Sequence, residues 1–251
     1  EIASCLVGSE MCIRDSKDPK RNMLRLVKVG KAFAGKMYPE STFTKPIEII
    51  SDENNVWHRF LFRGMKEVNA DFLRKAVLTF GIDLGLIGTS TLRKKRDELG
   101  CNIPWVVLLD PTSACNMKCK GCWAAEYGYK SNLTLDEMRK IIRESKALGT
   151  HFFMFTGGEP LIRKKDLITL AKENPDCIFL AFTNATLIDD AFCEQLIECG
   201  NFGLALSIEG TEETNDGRRG GGAYQTTMNA MKMLNCLLYT SDAADDRISV
   251  D

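Results

Sequence analysis

Four apolar runs, each followed by a helix-forming stretch, restrict what this chain can fold into more than any other feature. Residues 105–110, 151–156, 177–183 and 202–208 read as strands. They are apolar on both faces, as in Ile178-Phe179-Leu180-Ala181-Phe182, which suits a parallel sheet covered by helices. The first intervening helix runs to Leu148, with Thr134 as N-cap, Glu137 completing a capping box and Gly149 as its stop. Further helices are expected over about 165–173, about 189–199 (ended by Gly200) and about 223–234. Strands and helices alternating this way make a barrel or a doubly wound sheet.

Residues 21–103 read differently, as a mostly helical lead-in. Met23, Leu24, Leu26, Val27, Val29, Ala32 and Phe33 form an apolar face at helical spacing. Pro39 and Pro46 are expected to break this region, and 43–50 fits a short helix or a strand. Asn69 is a plausible cap for a helix carrying Phe72, Leu73, Ala76, Val77 and Phe80. Gly81, Gly85 and Gly88 punctuate the next segment. Thr89 or Ser90 then caps a charged helix over 92–99 that Gly100 stops, with Arg93-Lys94-Lys95-Arg96 as its solvated face. His58 reads as structural, and Trp57 and Trp105 as core. The net charge of −1 gives no electrostatic case for nucleic acid or an anionic membrane. No run of about 18 apolar residues is present to span a membrane.

Chemistry is concentrated at the strand ends, where parallel α/β folds bind their ligands. The first strand leads into Cys115-Asn-Met-Lys-Cys119-Lys-Gly-Cys122. Three cysteines at this spacing can point three sulfurs at one centre. A closed structural zinc site needs a fourth ligand, for which Cys101 and His151 are the candidates. The second strand ends in Thr156-Gly157-Gly158-Glu159-Pro160, the third in Thr183-Asn184 and the fourth in Ser207-Ile208-Glu209-Gly210. Ten cysteines in a chain of 251 residues, three of them clustered and without a signal peptide, point to metal or redox chemistry in a reducing compartment. Cys177, Cys193 and Cys199 read as small apolar core residues, with ligation of an auxiliary cluster as the alternative.

The cysteine triad followed by Gly157-Gly158-Glu159-Pro160, with Ser207-x-Glu209-Gly210 on the fourth strand, resembles the radical S-adenosylmethionine (radical SAM) enzymes over about residues 104–235. The resemblance implies a partial TIM-like parallel barrel of four βα units, preceded by the helical segment. It implies that Cys115, Cys119 and Cys122 hold three irons of a [4Fe-4S] cluster and that SAM binds the fourth. Reductive cleavage of SAM then gives a 5′-deoxyadenosyl radical that abstracts a substrate hydrogen.

On the same basis, Gly157, Gly158, Glu159 and Pro160 cradle the methionine moiety, with Glu159 accepting from its ammonium group. Ser207 and Glu209 lie near the ribose, with Asn184 nearby, and Arg218 or Arg219 pairs with the carboxylate. The family's aromatic residue before the third cysteine is replaced here by Gly121, so Trp123 is expected to supply adenine packing. Relatives often carry Asn-Gly where this chain has Asn184-Ala185; a left-handed backbone there would cost Ala185 about 1 kcal/mol. A reductant such as flavodoxin or ferredoxin, a small-molecule or peptide substrate and a cytoplasmic location are also implied. The alternative is a non-catalytic iron–sulfur protein, which has no need of a SAM cradle.

Both ends of the chain resemble translated sequencing-library adapters. Cys236-Leu-Leu-Tyr-Thr-Ser241 can be coded by TGT CTC TTA TAC ACA TCT, and the reverse complement, shifted in frame, codes Glu10-Met-Cys-Ile-Arg-Asp15. The expected organisation is therefore an adapter-like tail over 1–16, the helical segment over 17–103, the radical SAM core over 104–235 and a second adapter-like tail over 236–251. Four units leave a sheet edge unpaired, so residues 1–251 alone are expected to be poorly soluble or inactive.

Overall fold

The computed structural model describes residues 18–36, 38–67, 70–126 and 131–238. The chain divides into two compact units, one before and one from Lys75. The second unit thus takes in helices that the sequence pattern groups with the lead-in.

The first unit holds α1 (Pro19–Ala34), α2 (Ser41–Ser51) and α3 (Val56–Glu67), and α4 (Ala70–Leu78) comes next. Asp18 caps α1 by accepting from Arg21 N at 2.9 Å, and Pro19 occupies the first turn, where its missing N–H costs nothing. Pro46 does not break the chain as expected. It lies inside α2, which settles 43–50 as helix. An interior proline costs about 3 kcal/mol. Phe43 and Ile50, both buried on one face, offset it at about 1.5–3 kcal/mol each. His58 is structural: its Nδ1 lies 3.0 Å from the Ile50 carbonyl and its ring stacks on Phe62. Because His58 and Phe62 take the inward face of α3, Trp57 turns out and is 62% exposed, contrary to its assignment to the core. The proposed Asn69 cap lies outside the described residues.

The second unit continues from the end of α4 through a π-helix (Thr79–Gly88) directly into α5 (Thr89–Leu99). The three glycines therefore do not punctuate, and neither Thr89 nor Ser90 caps. One of them serves close approach instead. A Cβ on Gly88 would stand 2.8 Å from the Gly149 carbonyl, and one on Gly149 would stand 2.6 Å from that of Gly88. Gly100 ends α5 in the left-handed conformation, as expected. On the solvated side of α5, Lys94 and Lys95 pair with Glu98 and Arg96 with Asp97.

Beyond α5 lie four parallel strands: β1 (Val106–Leu109), β2 (Phe152–Phe155), β3 (Ile178–Thr183) and β4 (Phe202–Leu206), in the order β1-β2-β3-β4. A sheet whose sequential strands are neighbours without reversal is barrel-like, whereas a doubly wound sheet reverses at a switch point. Between the strands lie α6 (Leu135–Ala147) and α7 (Lys164–Glu173), then α8 (Asp190–Cys199), with α9 (Glu212–Arg219) and α10 (Ala223–Leu238) after β4. The capping box of α6 is formed: Thr134 N donates to Glu137 Oε2 at 2.8 Å and Glu137 N to Thr134 Oγ1 at 3.2 Å. The last helix runs on to Leu238, into the stretch read as adapter-like.

The register places Val107, Leu109, Phe153, Phe155, Phe179, Ala181, Phe202 and Leu204 on one face. There they pack against Met138 and Ile142 of α6, Leu167, Leu170 and Ala171 of α7, and Phe192 and Leu196 of α8. At the N-terminal edge of the opposite face, Phe80 of the π-helix packs edge-on against Phe152, and Ile178 is buried. Further along the same face Leu108 is 58% exposed and Phe182 is exposed too, as the inner side of a partial barrel would be. Trp105, at the outset of β1, rests against Phe152 and is 59% exposed rather than core.

Cys177, Cys193 and Cys199 are buried in this unit and unbridged. Burial pushes the Cys177 thiol up to about 12 and the Cys193 thiol up to about 11, and raises Cys199 as well. Alkylation of the folded protein with iodoacetamide at about pH 8, below these raised values, mapped by peptide mass spectrometry, is expected to modify exposed Cys101 and leave these three unmodified. Labelling of Cys177 as fast as Cys101 would contradict the placement.

Candidate functional site

The segment between β1 and α6 is closed at its base. Residues 111–113 pair with 131–133: Ser113 N donates to Ser131 O at 2.8 Å, Leu133 N to Pro111 O at 3.1 Å, and the Thr112 hydroxyl to Asn132 Oδ1. Arg163 pins the same base, donating to Pro111 O at 3.2 Å and Leu133 O at 2.7 Å. The three cysteines stand on the loop so closed, unbridged and half-buried. Cys122 N donates to Cys119 O at 3.3 Å, and Gly121 sits within that turn at φ 67°. A residue with a side chain at 121 would have to adopt the left-handed backbone, which glycine takes without strain. Trp123 opens a short 3-10 helix and is exposed.

The Gly-Gly-Glu-Pro stretch straps this loop to the sheet. Gly158 N donates to Thr112 O at 3.0 Å and Glu159 N to Ala114 O at 2.7 Å. A Cβ on Gly158 would fall onto the Ala114 carbonyl, and one on Gly157, at φ 102°, would stand 2.6 Å from Thr112 O. The space that a side chain would fill at each glycine is thus occupied by the cysteine loop's own backbone.

Glu159 also braces the fold. It is 1% exposed, and its carboxylate accepts from Leu161 N at 3.0 Å, the Thr183 hydroxyl at 2.7 Å and Asn184 N at 2.8 Å. It braces the end of β2 to the end of β3. Burial raises its carboxyl above the usual range, opposed by these three hydrogen bonds. Pro160, buried, begins the 3-10 helix that Glu159 caps.

Beyond β3, the Asn184 amide reaches the cysteine loop, with Nδ2 3.9 Å from Cys115 Sγ and 2.9 Å from Asn116 Oδ1. Ala185 next to it has φ 67°, the left-handed backbone at which the sequence-based expectation placed its strain. Beyond β4, Ser207 N donates to Thr183 O at 2.9 Å. Glu209 takes both arginines, Arg218 Nη1 at 2.8 Å and Arg219 Nη2 at 2.6 Å, and they hold its carboxyl below the usual range, Arg219 most strongly. Each arginine therefore has an internal partner where a ligand carboxylate was expected. Lys120 N donates to Arg218 O at 2.8 Å, joining the cysteine loop to α9.

Sequence reasoning missed Thr112, Asn116, Arg163, Thr186 and Asn215, whose buried side chain accepts from Glu209 N at 3.0 Å. It also missed α9, although Thr211 as a cap, Glu212 and Glu213 in the first turn and Arg218 and Arg219 in the last form a legible dipole pattern.

The zinc alternative fares poorly. Cys101 and His151 precede β1 and β2, so they lie at the opposite end of the sheet from the loop, a strand length of about 13 Å away. Among the described residues, the group of His, Cys, Asp or Glu ligand atoms lying within 4.8 Å of one another is His151, Asp176 and Cys177. It is internally satisfied: Lys146 donates to Asp176 Oδ1 at 2.7 Å, and His151 Nδ1 lies 3.0 Å from the Asp176 carbonyl. The donor set of the loop, three thiolates, is the natural ligand set of an iron–sulfur cluster.

Comparison with known proteins agrees with this geometry. The profile of the Radical SAM superfamily matches residues 109–237, about half of the chain. Fe-coproporphyrin III synthase of Methanosarcina barkeri is 32% identical over 136 residues, covering 52% of this chain and 33% of that protein. The sporulation killing factor maturation protein SkfB of Bacillus subtilis is 29% identical over 150 residues, covering 55% and 34%. The chain thus spans about a third of the length of these relatives. Among solved structures, Streptococcus suis SuiB bound to S-adenosylmethionine superposes with a TM-score of 0.50 at 19% identity, covering 76% of this chain and 44% of that one, a likeness of fold. With a family match across half its length, laid over the strands and loop just described, this chain belongs to the radical SAM superfamily.

Proposed function

We propose that the protein carrying this chain is a radical SAM enzyme, with a [4Fe-4S] cluster on Cys115, Cys119 and Cys122 and SAM beside it at the C-terminal ends of the strands. The observation that carries the reading is the cysteine loop itself: three thiols, none in a disulfide, on a segment clasped at its base and strapped by residues 157–159. When bound, the cluster and SAM supply one-electron chemistry, reductive cleavage to a 5′-deoxyadenosyl radical that takes a hydrogen from substrate.

The protein's own part is to hold and orient. Gly157 to Pro160 and Asn184 fix the loop at the ends of β2 and β3. Ser207 and Glu209 offer acceptors to ribose hydroxyls at the end of β4, with Arg218 and Arg219 releasing Glu209 in exchange for the SAM carboxylate. Trp123, exposed next to Cys122, packs on the adenine. Substrate, a small molecule or a peptide, approaches over the exposed part of the sheet near Leu108 and Phe182. We further propose the adapter-like reading of 1–16 and 236–251, a flavodoxin or ferredoxin as reductant and a cytoplasmic location. No helix among the described residues is long and apolar enough to cross a membrane.

The test uses the full product of the source locus, resequenced across both ends, reconstituted anaerobically and supplied with SAM and dithionite. Formation of 5′-deoxyadenosine is the expected result. A cluster-loaded protein that forms none would leave the electron-transfer reading in its place.

A further inference from the structure

Asn184 belongs to a closed ring of three side chains. Its Oδ1 accepts from Thr186 N at 3.0 Å and from the Thr186 hydroxyl at 2.6 Å. The Thr186 hydroxyl in turn accepts from Asn116 Nδ2 at 2.7 Å. Asn116 Oδ1 accepts from Asn184 Nδ2 at 2.9 Å, which completes the circuit.

The ring fixes which way the Asn184 amide faces. A backbone N–H can only donate, so Thr186 N must meet the oxygen of Asn184 and never its NH2 group. The NH2 group is thereby turned toward the cysteine loop. One of its two hydrogens goes to Asn116, and the second is left for Cys115 Sγ at 3.9 Å. The residue is buried, and its backbone N–H is tied to Glu159 Oε2 at 2.8 Å, so the donor is held in place before any ligand arrives. Donors to a charged sulfur approach more closely than donors to a neutral thiol.

Resting on the radical SAM reading above, we propose that Asn184 is a positioning residue that donates a hydrogen bond to the Cys115 thiolate and so sets the reduction potential of the cluster. Hydrogen bonds to ligating sulfurs are among the determinants of iron–sulfur potentials. A donor at the thiolate withdraws electron density and stabilises the reduced, more negative cluster. Its presence therefore raises the midpoint potential. Thr186 and Asn116 act one step further out, by holding the amide in that orientation.

The test is a redox titration of the reconstituted protein without SAM, monitored by the EPR signal of the reduced cluster. Asn184→Leu removes the donor while keeping the branched four-atom shape of the side chain, and is expected to shift the midpoint to more negative potential with iron content unchanged. Thr186→Val removes the hydroxyl of the ring while leaving the amide, and is expected to give a smaller shift of the same sign. If Asn184→Leu holds no cluster, the Thr186→Val shift decides. A midpoint unchanged or more positive in the deciding variant would overturn the inference while leaving the cluster assignment intact. Failure of the parent protein to assemble any cluster would instead overturn both.

Discussion

Alanine at any one of Cys115, Cys119 or Cys122 is expected to abolish cluster assembly outright while leaving the fold in place. A cluster that already relies on three protein ligands has none in reserve, and two thiolates on one loop cannot retain it against exchange. The rest of the loop does not depend on the thiols. Its base is closed by the 111–113 to 131–133 pairing and by Arg163, and its far side is tied to Arg218 O. Stability without cluster should therefore change by less than about 1 kcal/mol, the usual range for a partly exposed substitution. Iron and sulfide determined after anaerobic reconstitution should fall from about four of each per chain to background. Cys193→Ala, in the core, should cost stability and leave iron content unchanged. Retention of a full cluster by Cys119→Ala would show that the ligands are elsewhere.

Glu159→Ala should destabilise the second unit by about 4 kcal/mol, because each buried donor left unpaired costs about 1–3 kcal/mol. The carboxylate satisfies three donors in a site closed to water, namely Leu161 N, the Thr183 hydroxyl and Asn184 N. Part of their summed cost is recovered, because the smaller side chain leaves room for water and removes a buried charge. Glu159→Gln keeps one acceptor but turns an NH2 group toward donors, so a loss of about 2 kcal/mol is expected. Chemical denaturation monitored by circular dichroism checks both. A loss under about 1 kcal/mol for the alanine variant, the bottom of the range for even one unpaired donor, would mean that the glutamate faces a ligand instead of bracing β2 to β3.

The contrast between these two sites shows where the sequence was readable. The four strands announce themselves because a parallel sheet makes near-continuous apolar runs, and the helices between them because Thr134, Gly149, Asp189 and Gly200 mark their ends. The cysteine loop was legible from spacing alone. The work of Gly158 and Glu159 was not, since it depends on Ala114, Thr183 and Asn184, which only the fold brings near. α9 escaped because it is almost wholly polar and offers no apolar period, and Pro46 misled because tertiary burial of Phe43 and Ile50 outweighed a local cost. The glycines of the π-helix misled for a related reason: a glycine that breaks a helix and one that lets Gly149 approach look alike in sequence.

Three cysteine ligands would leave one iron of a [4Fe-4S] cluster without a protein ligand, and that iron would be the one open to SAM. Mössbauer spectra of the protein reconstituted with 57Fe, recorded with and without SAM, test it most directly. The expected result is a [4Fe-4S] cluster in which one iron of the four changes its isomer shift and quadrupole splitting when SAM is added, and in which Cys115→Ala shows no cluster. Four equivalent irons that SAM leaves unchanged would contradict it.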